Sequence, residues 1–187
     1  MAISLTKGGN VNLSKEAPNL TNMAVGLGWN PRATDGQAFD LDAVAFLVNE
    51  SGKVRADADF IFFNNLKSSD GSVEHTGDNR TGEGDGDDEV INVDLSRIPA
   101  HVQSLVFTVN SFTGQTFEKV ANAFCRIVNA SNNSEVARYN LSAQGSHTAL
   151  ILAKIYRHNG EWKMHAIGEI ASGRTFHDLM PAITPHA

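Results

Sequence analysis

Phe39-Asp40-Leu41-Asp42-Ala43-Val44-Ala45-Phe46-Leu47 opens in strict apolar–polar alternation and closes in an unbroken apolar run. Alternation with period two is the mark of a strand with one face toward a core, and the apolar continuation reads as that strand entering a buried sheet. Asp59-Phe60-Ile61-Phe62-Phe63, closed by Asn64-Asn65, is a second strong strand pattern. Further strands are predicted at Val90 to Leu95, Ser104 to Asn110, Ala123 to Val128 and Val136 to Leu141. Ala149 to Arg157 and Trp162 to Glu169 flank His158-Asn159-Gly160-Glu161. Asn-Gly between two strand patterns predicts a tight hairpin, because both turn residues tolerate positive φ. Ile3 to Leu13, alternating around Lys7-Gly8-Gly9-Asn10, reads as another hairpin. Helical signals are confined to Thr116 to Ala123 and Thr175 to Met180.

About ten strands with few helices predict an all-β fold, a two-sheet antiparallel β-sandwich with a few short helices. With 187 residues, 41% hydrophobic and 19% charged, the chain is long and apolar enough for one domain, 1–187, with a full core. The single cysteine, Cys125, allows no internal disulfide and fits a reducing compartment. The first fifteen residues lack the basic start and apolar stretch of a signal peptide, and no apolar run approaches the ~20 residues of a membrane-spanning helix. A cytoplasmic protein without direct membrane insertion is the expectation.

The net charge of -6 is unevenly placed. Asp35 to Asp94 holds 15 acidic and 4 basic residues, so the rest of the chain is net positive. A stretch this acidic is repelled by phosphate, which argues against nucleic acid as a partner there and suits a cation. Its centre is Gly77-Asp78-Asn79-Arg80-Thr81-Gly82-Glu83-Gly84-Asp85-Gly86-Asp87-Asp88-Glu89, with six carboxylates, one arginine and four glycines. Two like charges ~4 Å apart repel by roughly 1 kcal/mol in water and about 4 at an effective dielectric of 20. The loop therefore needs either full solvation or a cation. Calcium, with about 6 to 8 oxygen ligands in flexible geometry, suits it better than octahedral magnesium. Zinc is disfavoured, since no histidine or cysteine pair has ligand spacing. The EF-hand spacing is absent. On pattern alone, an ion site and a solvated acidic loop both remain open.

Asp40 and Asp42 share one face of their strand, and two adjacent carboxylates at the start of a buried strand are costly unless paired or metal-bound; taken alone, the pair reads better as ordinary surface aspartates at an exposed strand start. Asn64 and Asn65 end the neighbouring strand pattern and offer further oxygens.

Together with Gly26-Leu27-Gly28-Trp29, Asp57-Ala58-Asp59, Ser4-Leu5-Thr6-Lys7-Gly8-Gly9-Asn10 and Tyr156-Arg157-His158-Asn159-Gly160-Glu161-Trp162-Lys163, these segments resemble the TerD family of tellurium-resistance proteins over nearly the whole chain. The resemblance implies a β-sandwich, two bound Ca2+ ions and a bacterial stress-response role that includes tellurite resistance. It implies partners among proteins of the same operon, one of them an integral membrane protein, which would bring this chain to the inner membrane only peripherally. The family's ion ligands map onto Asp40, Asp42, Asn64, Asn65 and the oxygens of Asp78 through Glu89, with Asp78, Asn79, Gly82, Asp85, Asp87, Asp88 and Glu89 the main candidates. Glu83 and Asn30 are secondary. Asn30 stands where the family has aspartate, keeps an oxygen and loses a charge, so an ion site that uses it should bind more weakly.

Three functions compete at this level. The first is a non-enzymatic, calcium-dependent binding or scaffold module. The second is a metal-dependent hydrolase or phosphoryl-transfer enzyme using the same carboxylates, with His75 as its base. The third is thiol chemistry on tellurite at Cys125, which lacks a resolving partner in the chain and sits in an apolar strand pattern. No nucleophile elbow or phosphate-binding loop supports an enzyme. Arg80 reads as a counter-ion within the loop and Trp29 as a core residue.

Overall fold

The computed structural model describes residues 3–6, 8–18, 20–31, 41–54, 59–62, 65–68, 70–76, 89–111, 120–132, 134–140 and 149–171; for residues 29–31, 41–42, 110–111, 120–123 and 169–171 it gives the backbone path. Twelve strands lie among these residues. They are β1 Ile3–Leu5, β2 Asn10–Asn12, β3 Asn22–Pro31, β4 Leu41–Val48, β5 Phe60–Ile61, β6 Val73–His75, β7 Glu89–Asp94, β8 Ser104–Ser111, β9 Val120–Asn129, β10 Ser134–Asn140, β11 Ala149–His158 and β12 Glu161–Ala171. Two short helices accompany them: an α-helix, Leu13–Glu16, capped by the Asn12 side chain, which accepts from Lys15 N–H, and a 3-10 turn, Leu95–Arg97, capped by Asp94.

The strands form two six-stranded sheets, ordered β1-β10-β9-β3-β7-β6 and β2-β12-β11-β8-β4-β5. All pairings are antiparallel except β1 with β10. The expected two-sheet architecture is therefore present. Alternation explains the core. Val25 and Leu27 of β3, Ile91 and Val93 of β7, Ala43, Ala45 and Leu47 of β4, and Leu105, Phe107 and Val109 of β8 meet in one buried cluster. Their strand neighbours Val44, Phe46, Val48 and Val106 belong to a second buried cluster with Phe60, Ala149, Ile151 and Ile167. This accounts for the solid apolar run in β4: that strand is buried on both faces. Within the second cluster Phe46 and Phe60 meet edge to face at 5.2 Å.

The hairpin at Asn159-Gly160 is as expected, with φ of 51° and 76° at its two residues and His158 paired to Glu161. Two expectations are corrected. Ile3 to Leu13 is not a hairpin: β1 joins β10 of the first sheet, while β2 joins β12 of the second. Gly8, at φ 85°, donates its N–H to Ala166 O and carries the chain from one sheet to the other. The helix expected at Thr116 to Ala123 is excluded over Val120 to Ala123, which lies in β9. There Val120 pairs with Pro31 and Ala121 with Asn30, and sheet pairing overrides a weak local helical preference. Residues 112–119 and the helix expected at Thr175 to Met180 lie outside the described residues. Strands β3 and β6 have no counterpart among the strand expectations. Gly26 and Gly28 interrupt the apolar pattern of β3, and β6 is only three residues long.

The pairing registers gather strand ends on one side of the molecule. In the first sheet β3 ends, β7 begins, β9 begins and β10 ends on that side, since Leu27 pairs with both Glu89 and Cys125, and Phe124 pairs with Asn140. In the second sheet β4 and β11 begin and β8 and β12 end together, through Leu41 with Ser111 and Ala149 with both Asn110 and Ala171. Truncation in the shared core should be costly while the exposed turn should tolerate change better. Phe107→Ala is expected to lower unfolding free energy by about 3–5 kcal/mol. Gly160→Ala, which meets open space but keeps a positive φ, is expected to lower it by about 1 kcal/mol. Urea denaturation of both variants checks the contrast.

Candidate cation site

The two strand ends nearest the acidic segments are joined by a buried carboxylate. Glu89, the first residue of β7, follows the inward parity of Ile91 and Val93 and is 1% exposed. Its Oε2 accepts the Ala43 N–H of β4 at 2.7 Å, a contact that crosses from one sheet to the other. The reason lies in the sheet edge. β5 pairs with β4 only at Ala45 and Phe46, so among the described residues the earlier part of β4 has β8 on one side and no strand on the other. Glu89 supplies the acceptor that a neighbouring strand would have supplied. A buried N–H without an acceptor is rare and costly, and hydrogen bonds to charged groups contribute about 1.5–3 kcal/mol.

His75 completes the arrangement. It ends β6, is 2% exposed, and its Nε2 lies 3.3 Å from the same Glu89 Oε2. The two atoms are within hydrogen-bond distance, with the imidazole tautomer deciding which nitrogen carries the proton. The His75 backbone N–H donates to Leu66 O at 2.6 Å, and Thr76 donates from both N–H and Oγ to Val90 O at 2.9 Å. Asn65 closes a tight turn with Phe62, each donating N–H to the other's carbonyl, and its Nδ2 donates to Phe60 O at 2.7 Å. Phe60, Phe62, Asn65, Leu66, His75, Thr76, Glu89, Val90 and Ala43 thus lie in hydrogen-bonded contacts where the edges of the two sheets come together.

Of the candidate ligands, Asn65 and Glu89 are described with their side chains, and both take part in these contacts. Asp42 is placed by its backbone directly before Ala43 and opposite Asn110 of β8, a neighbour that the sequence reading did not consider. Asn30 is placed by its backbone in β3, opposite Ala121 and beyond the Leu27–Glu89 pair. Asp40, Asn64, Asp78, Asn79, Gly82, Glu83, Asp85, Asp87 and Asp88 lie outside the described residues, as does Arg80. Among the described residues no three His, Cys, Asp or Glu side chains come together as a metal-binding group. What the structure does bring together is the two flanks of residues 77–88, the start of β4 at Ala43 and the segment that holds Asn65 and Leu66. Asn65 and Glu89 offer oxygen donors of the kind a hard cation takes, and of these the Glu89 carboxylate is held by the fold. Sequence reading missed the roles of Ala43 N–H and His75. The signal was present in strand parity, because Val73-x-His75 and Glu89-x-Ile91-x-Val93 both point their polar residue inward.

Comparison with known proteins settles the lineage. Residues 1–180 match the family model described as the TerD domain. The chain belongs to the TerD family. This TerD-family chain is 56% identical over 178 residues to a protein of Serratia marcescens named tellurium resistance protein TerD, covering 92% of this chain and 93% of that one. It is 47% identical over 174 residues to general stress protein 16U of Bacillus subtilis, covering 90% of each. Its fold is that of a solved Streptomyces coelicolor homologue of telluride resistance protein (TerD), with a TM-score of 0.69, 20% identity, and coverage of 83% of this chain and 92% of that one. The chain is thus a member of a tellurium-resistance and stress-response family with a two-sheet β fold.

Removing the shared carboxylate should be felt without any metal present. In chelator, Glu89→Ala is expected to lower unfolding free energy by about 3 kcal/mol, because it takes the acceptor from Ala43 N–H and from His75. Glu89→Gln keeps an acceptor oxygen and should lose about 1 kcal/mol. Urea denaturation with hydrogen exchange of the Ala43 amide measures both effects.

Proposed function

We propose that this TerD-family protein is a calcium-binding stress-response module of the tellurium-resistance type. In this reading it works as a non-enzymatic binding or scaffold unit for partner proteins. The observation that carries the reading is the Glu89 to Ala43 contact, which ties the end of the acidic stretch to β4, the strand that contains Asp42 and follows Asp40 in sequence. Asp40, Asp42, Asn64, Asn65, Asp78, Asn79, Gly82, Asp85, Asp87, Asp88 and Glu89 would hold two calcium ions, with Asn30 and Glu83 at the margin. Bound calcium would neutralise their mutual repulsion and cross-brace segments from several strands.

The chain's own residues supply the rest. Glu89 and Ala43 fix the distance between the sheets at this end, and Asn65 holds the β5 turn beside it. A non-enzymatic role is supported by the burial of His75, whose Nε2 is engaged with Glu89 instead of facing a substrate. Cys125, fully buried in β9, is poorly placed for thiol chemistry on tellurite. Among the described residues no helix is long and apolar enough to cross a membrane, and attachment through a protein partner is the route this reading assigns to any membrane association.

Calcium that binds only the folded state adds about 4 kcal/mol per site at a thousandfold excess over its dissociation constant. For a chain of this size that corresponds to a melting-temperature rise of about 8–16 °C. Calorimetry with calcium after chelator treatment should show that rise and a stoichiometry of two. Identical melting with calcium and with chelator rejects the proposal, and a stoichiometry of one points to the site near Asn30.

A further inference from the structure

We infer that the outer face of the second sheet, where β11 and β12 carry Lys154, Tyr156 and Lys163, is a binding site for a small oxyanion. It is built from residues other than the calcium ligands proposed above and does not depend on them. Successive strand residues face opposite ways, so Met164 in the shared core turns Lys163 and His165 outward, and Ile155 does the same for Lys154 and Tyr156. In the ladder Tyr156 stands opposite Lys163, and Lys154 opposite His165. β12 lies between β11 and β2, yet the Tyr156 hydroxyl donates to Asn10 Oδ1 of β2 at 3.1 Å. The phenol ring therefore reaches across β12 and is held at its far end. Lys154 Nζ sits 4.9 Å from the centre of that ring. Two lysines are thus gathered about one fixed aromatic ring.

Charge is what this face leaves unanswered. Lys154 is half-buried, and burial pushes the pKa of its ammonium down. A charge withdrawn from water is paired as a rule, but among the described residues neither Lys154 nor Lys163 enters an ion pair. Glu161, two residues before Lys163 on the same face, pairs with neither lysine. His165 has contacts of its own and is not needed for the site. The ring face attracts an exposed cation by about 0.5–1 kcal/mol and leaves the three N–H donors of Lys154 to other partners. Asn10, with its oxygen taken by Tyr156, keeps the two donors of its Nδ2. Around the ring the remaining polar atoms are donors, and two of the groups that carry them are positive. Such a set selects an anion with several acceptor oxygens, because charge-assisted hydrogen bonds are the strong ones. Ammonium groups act as point charges with freely turning donors, so tetrahedral and pyramidal oxyanions are accepted alike.

The test is a titration of the chelator-treated full chain with sodium phosphate and, separately, with sodium tellurite, followed by nuclear magnetic resonance of the backbone amides and lysine ammonium groups. Ionic strength is held constant with sodium chloride. Saturable shifts at Lys154, Tyr156 and Lys163 are expected with the oxyanions and not with chloride alone. Lys154→Gln and Lys163→Gln should each bind at least about tenfold more weakly, whereas Lys53→Gln, at an exposed lysine in the turn after β4, should stay within about twofold of wild type. Tighter binding of tellurite assigns the site to that oxyanion, and equal or weaker binding of it assigns the site to phosphate-type anions; both support the inference. Shifts that fail to saturate, or that chloride reproduces, are charge screening by an adventitious ion only and overturn it. Undiminished binding by both variants overturns it as well. Should Lys154→Gln fail to fold, Lys163→Gln decides by the same threshold. Working in chelator keeps the outcome separate from that of the calcium reading.

Discussion

One buried carboxylate oxygen serves both sheets. Glu89 Oε2 takes the Ala43 N–H from the second sheet and faces the His75 ring of the first, beyond the part of β4 that pairs with β5 among the described residues. Apolar packing between Leu27, Ile91, Ala45 and Phe107 presses the sheets together but is non-directional and does not fix how their ends align. The carboxylate does, because a hydrogen bond of 2.7 Å tolerates little sliding. Its position follows from chain order: Glu89 is the last residue of the acidic loop and the first of β7, so the alignment of the sheets and the anchoring of the loop are the same contact.

Placing acidic segments at the ends of strands in a rigid sandwich separates two demands. The core, buried on both faces of β4, supplies stability, and the strands that flank residues 77–88 in sequence are anchored in it. Strand ends flanking residues 32–40, 77–88, 112–119 and 141–148 all gather at that end, so several connections leave from the same place.

Much of the fold was legible in the residues. The alternation and apolar run of Phe39 to Leu47 gave β4 and its double burial, and Asn159-Gly160 gave the β11–β12 turn, because each signal is local. The N-terminal strands were misread as partners of each other because strand pairing is not local: the pattern of Ile3 to Leu13 is the same whether its halves bond to one another or to β10 and β12. Val120 to Ala123 failed as a helix for a similar reason, since its partner strand β3 lies far away in sequence. At the site, composition pointed to the carboxylates and asparagines, but not to Ala43, whose contribution is a backbone N–H that nearly any residue carries. His75 drew attention as a candidate base, but its residue type did not announce that it is buried with Nε2 3.3 Å from Glu89 Oε2.

The most direct test of the account is a crystal structure of the full chain grown with calcium, with anomalous scattering used to locate the ions. Two anomalous peaks are predicted among Asp40, Asp42, Asn64, Asn65 and the oxygens of residues 78–89, with Ca–O distances of about 2.3–2.6 Å. Glu89 Oε2 should remain on Ala43 N–H and His75 Nε2. An acidic end without any peak, or a Glu89 carboxylate turned away from Ala43 to face solvent, would contradict it.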